Sequence, residues 1–170
     1  MKKILISLMS LLVFTSCVLH VYRFSSVNYS NNRISISAEL VNSENENSPV
    51  EYIRISDIRS NVNTPHKVKI LSSTIKIIDS NNKEYIAKTN SNSGYIHIYK
   101  QGVVITDDFK AYIGKVQLDD GTIIDIPPLS FKKTVYVERY SVISDTINAG
   151  GRGKEIFSGT VEDYKKQKNN

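Results

Sequence analysis

Apolar and polar residues alternate along much of this chain, the pattern of strands with one face buried and the other in water. Residues 33–40 keep that alternation without a slip: Arg-Ile-Ser-Ile-Ser-Ala-Glu-Leu. Thr74-Ile75-Lys76-Ile77 repeats it, Ser80-Asn81-Asn82-Lys83 turns, and Glu84-Tyr85-Ile86-Ala87 returns. That order predicts a β-hairpin, because asparagine tolerates the positive φ of tight turns. A second and stronger hairpin joins Lys115-Val116-Gln117-Leu118 to Thr122-Ile123-Ile124-Asp125-Ile126 through Asp119-Asp120-Gly121, since glycine takes positive φ without steric cost. Pro127-Pro128 ends that strand, because proline has no N–H to give a ladder. Further strands are expected over residues 50–58, 68–71, 95–99, 103–106, 134–143 and 155–161. Residues 42–48 and 89–94 read as polar loops, and no amphipathic helix pattern occurs beyond residue 22. Short strands with turn signals at short spacing predict an all-β chain: an antiparallel β-sandwich, immunoglobulin-like or related, of about eight to ten strands.

The N-terminus breaks the pattern. Lys2 and Lys3 are followed by the apolar stretch 4–14, then Thr15, Ser16 and Cys17, the only cysteine. A basic start, a short apolar core and small residues before a cleavage point make a secretory signal. The apolar core falls short of the roughly 20 residues a membrane span needs. These first 17 residues resemble the signal of bacterial lipoproteins, in which the cysteine becomes the lipidated first residue of the mature chain. Thr15 and Ser16 fit the two positions before the cysteine, while Phe14 stands where that family usually carries Leu, Val or Ile. The resemblance implies a signal peptide over residues 1–16 and acyl chains on Cys17. More than one chain is needed for stable attachment, and the resembled class carries two or three. Val18 after the cysteine, where an aspartate typically retains such proteins in the inner membrane, implies the outer membrane of a Gram-negative envelope. Two other readings of the same residues are an ordinary signal cleaved nearby and an uncleaved anchor over residues 4–22.

Composition then bounds the rest. Residues 17–170 suit one domain with a sizeable core, expected over residues 17–164 and followed by a basic, frayed tail at 165–170. The formal charge of +5 is misleading. Lys2 and Lys3 leave with the signal, Lys165, Lys166 and Lys168 lie in the tail, and the body between carries as many basic as acidic residues. A neutral body without a basic stripe excludes nucleic acid from the expected partners. With a single cysteine no internal disulfide can form, so burial of apolar surface must hold the fold.

Several constellations suggest chemistry on paper. Asn148-Ala149-Gly150-Gly151-Arg152-Gly153-Lys154 is glycine-rich, but residues 155–161 directly after it read as a strand and not as the helix a phosphate loop requires. His20, His66 and His97 lie far apart, without the spacing of a metal motif. Ser93, His97 and Asp107 or Asp108 supply the members of a nucleophilic triad, without the elbow that presents such a serine. Asp107-Asp108 and Asp119-Asp120 read as turn residues. The most suggestive patch is Tyr95-Ile96-His97-Ile98-Tyr99. Period two sends Ile96 and Ile98 to the core and presents Tyr95, His97 and Tyr99 outward. Tyr136 and Tyr140, opposite Val135 and Val137, belong to the same aromatic surface or to another. Tyrosine combines large contact area with a polar tip and is enriched at interfaces.

Together these features predict a lipid-anchored envelope protein that binds a protein partner without catalysis, such as a secretion or envelope-assembly subunit or an immunity protein against a toxic effector. The rival is an envelope hydrolase acting on lipid or cell wall. The expected partners are the membrane, through Cys17, and an envelope protein. No cofactor, metal or small-molecule substrate is expected.

Overall fold

The computed structural model describes residues 16–30, 33–58, 68–90, 93–141 and 153–169. The chain is all-β, built of antiparallel sheets with one short helix. Fourteen strand segments occur among the described residues, more than the sequence suggests, because several are only two or three residues long. Two compact units emerge, Tyr22–Thr134 and a smaller one that combines Met1–Val21 with Val135–Asn170.

In the larger unit, β2 (Val27–Tyr29), β3 (Ile34–Leu40), β4 (Val50–Asp57) and β8 (Tyr95–His97) form one sheet in the order β2-β3-β4-β8. A second sheet has the order β12-β9-β6-β7, from β6 (Thr74–Asp79), β7 (Glu84–Lys88), β9 (Phe109–Tyr112) and β12 (Leu129–Phe131). The third, β11-β10-β5, joins β10 (Gly114–Gln117) and β11 (Ile123–Ile126) to the short β5 (Lys69–Ile70). All three send residues into one core. Ile34, Ile36, Ile53 and Ile96 come from the first sheet, Ile75, Ile77, Phe109 and Phe131 from the second, and Ile70 and Val116 from the third. Phe109 stacks on Phe131 and meets Phe24 edge-on, at centroid separations of 4.8 and 5.2 Å.

Both expected hairpins form. β6 pairs with β7 and β10 with β11. Asn82 takes φ +62° in the first turn and Gly121 takes φ +83° in the second. In the first turn Asp79 accepts bonds from the N–H groups of Asn81 and Lys83, each at 2.9 Å. Residues 103–106, expected as a strand, join no ladder, although Val50 N–H bonds the Ile105 carbonyl at 2.9 Å. The strand expected over 95–99 ends at His97, and Tyr99–Gln101 makes a single 3-10 turn closed by Gly102.

An ionic cluster ties the second hairpin to the first sheet. Arg33 donates to the Asp120 carboxylate, to the Thr122 hydroxyl at 3.3 Å, and lies 3.8 Å from Asp57. The Thr122 N–H, then its hydroxyl, then Arg33 hold the Asp120 carboxyl well below the usual carboxylate range. A carboxyl depressed in the folded state adds stability that is complete above its unfolded value of about 4 and is lost as pH falls through the lower folded value. Below about pH 4 the urea midpoint of the native chain should therefore fall more steeply than that of Asp120→Asn. Equal slopes would remove Asp120 from the acid response.

The smaller unit holds most of the sheet β1-β13-β14, from β1 (Ser16–Phe24), β13 (Lys133–Ser141) and β14 (Lys154–Thr160), followed by helix α1 (Val161–Lys168). The helix corrects the expectation of a frayed basic end at 165–170. The Thr160 hydroxyl caps it by accepting the Asp163 N–H at 3.1 Å, Glu162 and Asp163 lie in its first turn, and Lys165, Lys166 and Lys168 lie in its last. That charge order complements the helix dipole at both ends.

Candidate functional site

The outer face of the β3-β4-β8 sheet gathers the aromatic side chains. In β4 and β8, Ile53 pairs with Ile96, and both are buried. The pleat sends the alternate residues to the other side. Tyr52 is thus placed opposite His97, and Arg54 opposite Tyr95. β3 continues both rows, with Glu39 opposite Tyr52 and Ser37 opposite Arg54.

Three rings meet there. Tyr52 approaches Tyr95 edge-on at 5.3 Å and His97 edge-on at 5.9 Å. Tyr95 and His97 lie nearly parallel, 15° apart, at 6.4 Å. Edge-to-face pairs at such separations contribute about 0.5–1.5 kcal/mol each beyond their buried area. Burial first, and then the charge of Glu39, push the Tyr52 hydroxyl above its ordinary value. His97 Nδ1 is buried and has no hydrogen-bond partner among the described residues. The outer part of the cluster stays open, for Tyr95 is 41% exposed; Tyr99, expected on the same face, lies past the end of β8 in the 3-10 turn and is 47% exposed.

Gln101 fixes the edge of this sheet. Its side-chain amide accepts the Lys88 N–H at 2.7 Å and donates to the Lys88 carbonyl at 2.9 Å and to the His97 carbonyl at 2.5 Å. One side chain thereby does between β7 and β8 what a short strand would do.

The other sequence candidates fall elsewhere. Tyr136 and Tyr140 lie on β13 in the smaller unit, with Glu138 between them. Each hydroxyl donates to one oxygen of the Glu138 carboxylate, Tyr136 at 2.5 Å. The Glu138 bond drives the Tyr136 hydroxyl up to about 12. These two tyrosines form a network of their own, while Val135 and Val137 beside them are buried. Cys17 is exposed as the second residue of β1. His20 bonds Tyr164 at 2.8 Å, and His66 lies outside the described residues. Most of the glycine-rich segment 148–154 also lies outside them, and Lys154 opens β14.

The paper triad is dispersed among local partners. The Ser93 hydroxyl accepts the Tyr95 N–H at 3.1 Å, Asp107 accepts from Thr106 at 3.2 Å, and Asp108 accepts the Lys133 N–H at 2.8 Å. A cleft of about 450 Å³ opens on the second sheet, lined in part by Asp79, Asp108, Lys110, Tyr112, Ser130 and Lys132. Its two carboxylates already hold turn N–H groups and the Lys133 N–H. Among the described residues, no three of His, Cys, Asp and Glu are grouped to hold a metal ion, and no helix is long and apolar enough to cross a membrane.

Tyr52 is the member of the face that sequence reading missed. The signal was present: in β4, Ile53 and Ile55 alternate with Tyr52, Arg54 and Ser56. What the alternation could not show is that β4 lies against β8, some forty residues away. No protein-family model, no curated protein and no solved structure matches this chain.

Proposed function

We propose that this chain is a lipid-anchored protein of the bacterial envelope that works by binding a protein partner through the Tyr52–Tyr95–His97 face. The observation that carries the reading is that ring cluster, open to solvent at the edge of a sheet whose inner residues form the core. Flat aromatic surface with polar tips is the material of interface centres. Arg54, Glu39 and Ser37 surround the rings with groups suited to a polar rim. The anchor half of the reading rests on the signal-like N-terminus and on an exposed, unpaired Cys17 directly after it.

Crosslinking from envelope membranes tests the binding half. Tyr52→Ala/Tyr95→Ala should lose the partner that the native chain captures, by about thirtyfold for a hot spot of about 2 kcal/mol, at a temperature where circular dichroism shows the variant still folded. Unchanged capture by a folded double variant would end the reading. A toxin-like partner assigns an immunity role, and co-purified envelope machinery assigns an assembly role. Cys17→Ala, fractionated in parallel, should leave the membrane.

A further inference from the structure

The cleft on the second sheet has a volume of about 450 Å³, the size of a small-molecule site and more than a single ion fills. Its floor is firm: Phe109 and Phe131 line it, are buried, and stack at 4.8 Å. Over that floor, outward-facing residues stand in register across three strands. Ser130 of β12 is opposite Lys110 of β9, and Lys110 is opposite Ile78 of β6. Lys132 follows Ser130 by two residues and so shares its face. Its backbone is held by Ser25, whose N–H bonds the Lys132 carbonyl at 3.0 Å and whose hydroxyl accepts the Lys132 N–H at 3.3 Å. Diagonal neighbours of this kind lie about 7–8 Å apart, a span over which two flexible lysine stems reach one oxyanion together.

The two signs of charge in the cleft are unequally engaged. Asp79 gives one carboxylate oxygen to the Asn81 and Lys83 N–H groups and the other to the Tyr85 hydroxyl at 3.1 Å. Asp108 gives one oxygen to the Lys133 N–H and keeps the second. Lys110 and Lys132 are exposed and make no ion pair with the described residues. The side chains of Ser80, Asn82 and Ser130 make no hydrogen bond with them either. Scattered exposed lysines are ordinary solvated surface, but these two line one cleft with those three neutral groups and the open oxygen of Asp108.

We propose that this cleft binds a small hydroxyl-bearing phosphate monoester, a sugar phosphate by class, with the phosphoryl group on Lys110, Lys132 and Ser130 and the hydroxyls toward Asp108, Ser80 and Asn82. The charge count selects the phosphoryl group. A phosphate monoester carries about two negative charges at neutral pH and matches two ammonium groups, whereas a carboxylate leaves one of them unmatched. Asp108 selects the rest of the molecule. Its carboxylate repels a bare anion but accepts a hydrogen bond from a hydroxyl, so a ligand that carries both groups fits where phosphate alone does not. The cleft lies on a different sheet from the Tyr52–Tyr95–His97 face, and its ligand is independent of the protein partner assigned to that face.

Titration calorimetry of the full chain with glucose-6-phosphate tests it, with glucose and inorganic phosphate as comparison probes. The sugar phosphate should bind about tenfold more tightly than phosphate, and glucose should not bind. Lys110→Gln/Lys132→Gln should weaken the sugar phosphate at least tenfold, the loss expected when charge-assisted bonds to phosphoryl oxygens go. Both side chains are exposed, so the variant should keep the native circular dichroism, and Lys110→Arg/Lys132→Arg should keep the binding. Lys115→Gln, an exposed lysine of β10 outside the cleft, should bind as the native chain does. Unchanged binding by the double glutamine variant, or an equal loss in Lys115→Gln, would overturn the site. Phosphate bound as tightly as the sugar phosphate would overturn the sugar class. Vesicles carrying phosphatidic acid present the same monoester on a lipid. Flotation on them that depends on Lys110 and Lys132, without binding of the soluble sugar phosphate, would overturn the small-molecule assignment in favour of a lipid headgroup.

Discussion

Lys133→Ala should destabilise the larger unit by about 3 kcal/mol, more than any single change on the aromatic face. Lys133 is only 5% exposed. Its ammonium donates to the carbonyls of Glu46 and Thr106, the latter at 2.5 Å, and stands 6.0 Å from the ring centres of Tyr22 and Phe24. One side chain thus ties the start of β13 to the loop at 42–48 and to the segment at 103–108. Alanine takes the charged donor from two carbonyls, at about 1–3 kcal/mol each, and removes a buried aliphatic stem worth about 0.8 kcal/mol per methylene, losses partly offset because no ammonium need then be desolvated. Lys133→Met separates the two contributions, for it keeps the stem and loses the donors. Urea unfolding should rank native above methionine above alanine, while Lys132→Ala, at an exposed neighbour, should stay within about 0.5 kcal/mol of native. A methionine variant as stable as the native chain would assign the worth of this site to packing alone.

Lys133 also shows where pattern reading stops. Phe131, Lys133, Val135 and Val137 are all buried, at positions two apart. Period two therefore places this lysine inward, against every expectation for its side chain. Only the distant carbonyls that receive it make that tolerable. The hairpins were legible because their turns are local: Asp119-Asp120-Gly121 and Asn81-Asn82 carry the needed backbone conformations themselves. The sandwich class was legible for the same reason, since alternation is written strand by strand. Sheet order was not, because the pairing of β4 with β8 is decided by which apolar faces close the core together.

The division into two units leaves no mark in composition. It falls within β1 and β13, after Val21 and after Thr134, where no proline- or glycine-rich linker stands. Helix α1 was readable in principle from its ends, where Thr160 precedes Asp163 by three residues. Its eight residues carry only Val161 and Tyr164 as apolar positions, too few for a periodic signal. Two of the three rings of the candidate site were visible in Tyr95-Ile96-His97. Tyr136 and Tyr140 were visible as tyrosines, but their joint engagement by Glu138 needed the β13 geometry.

Gly94→Ala should cost about 3 kcal/mol, at the upper end for overpacking, and should disable the aromatic face along with the fold. A Cβ at Gly94 would lie 2.3 Å from the Ile55 carbonyl oxygen and 3.4 Å from its carbon. No rotamer relieves a clash between a Cβ and a backbone atom, so the two strands must part. The Gly94 carbonyl accepts the Ile55 N–H at 2.8 Å, and Tyr95, the next residue, pairs with Arg54. Separation at Gly94 therefore removes a ladder bond and displaces the strand that carries Tyr95 and His97. Gly121→Ala is the comparison. There φ is +83° and nothing lies within 4 Å of the added carbon, so only the left-handed conformation resists, at about 1 kcal/mol. Thermal unfolding should rank Gly94→Ala well below Gly121→Ala. Partner capture should fail for Gly94→Ala even at temperatures where the variant is folded, and persist for Gly121→Ala. If Gly94→Ala captures the partner normally while folded, binding does not depend on where β8 holds its rings, and the binding face must lie elsewhere on the molecule.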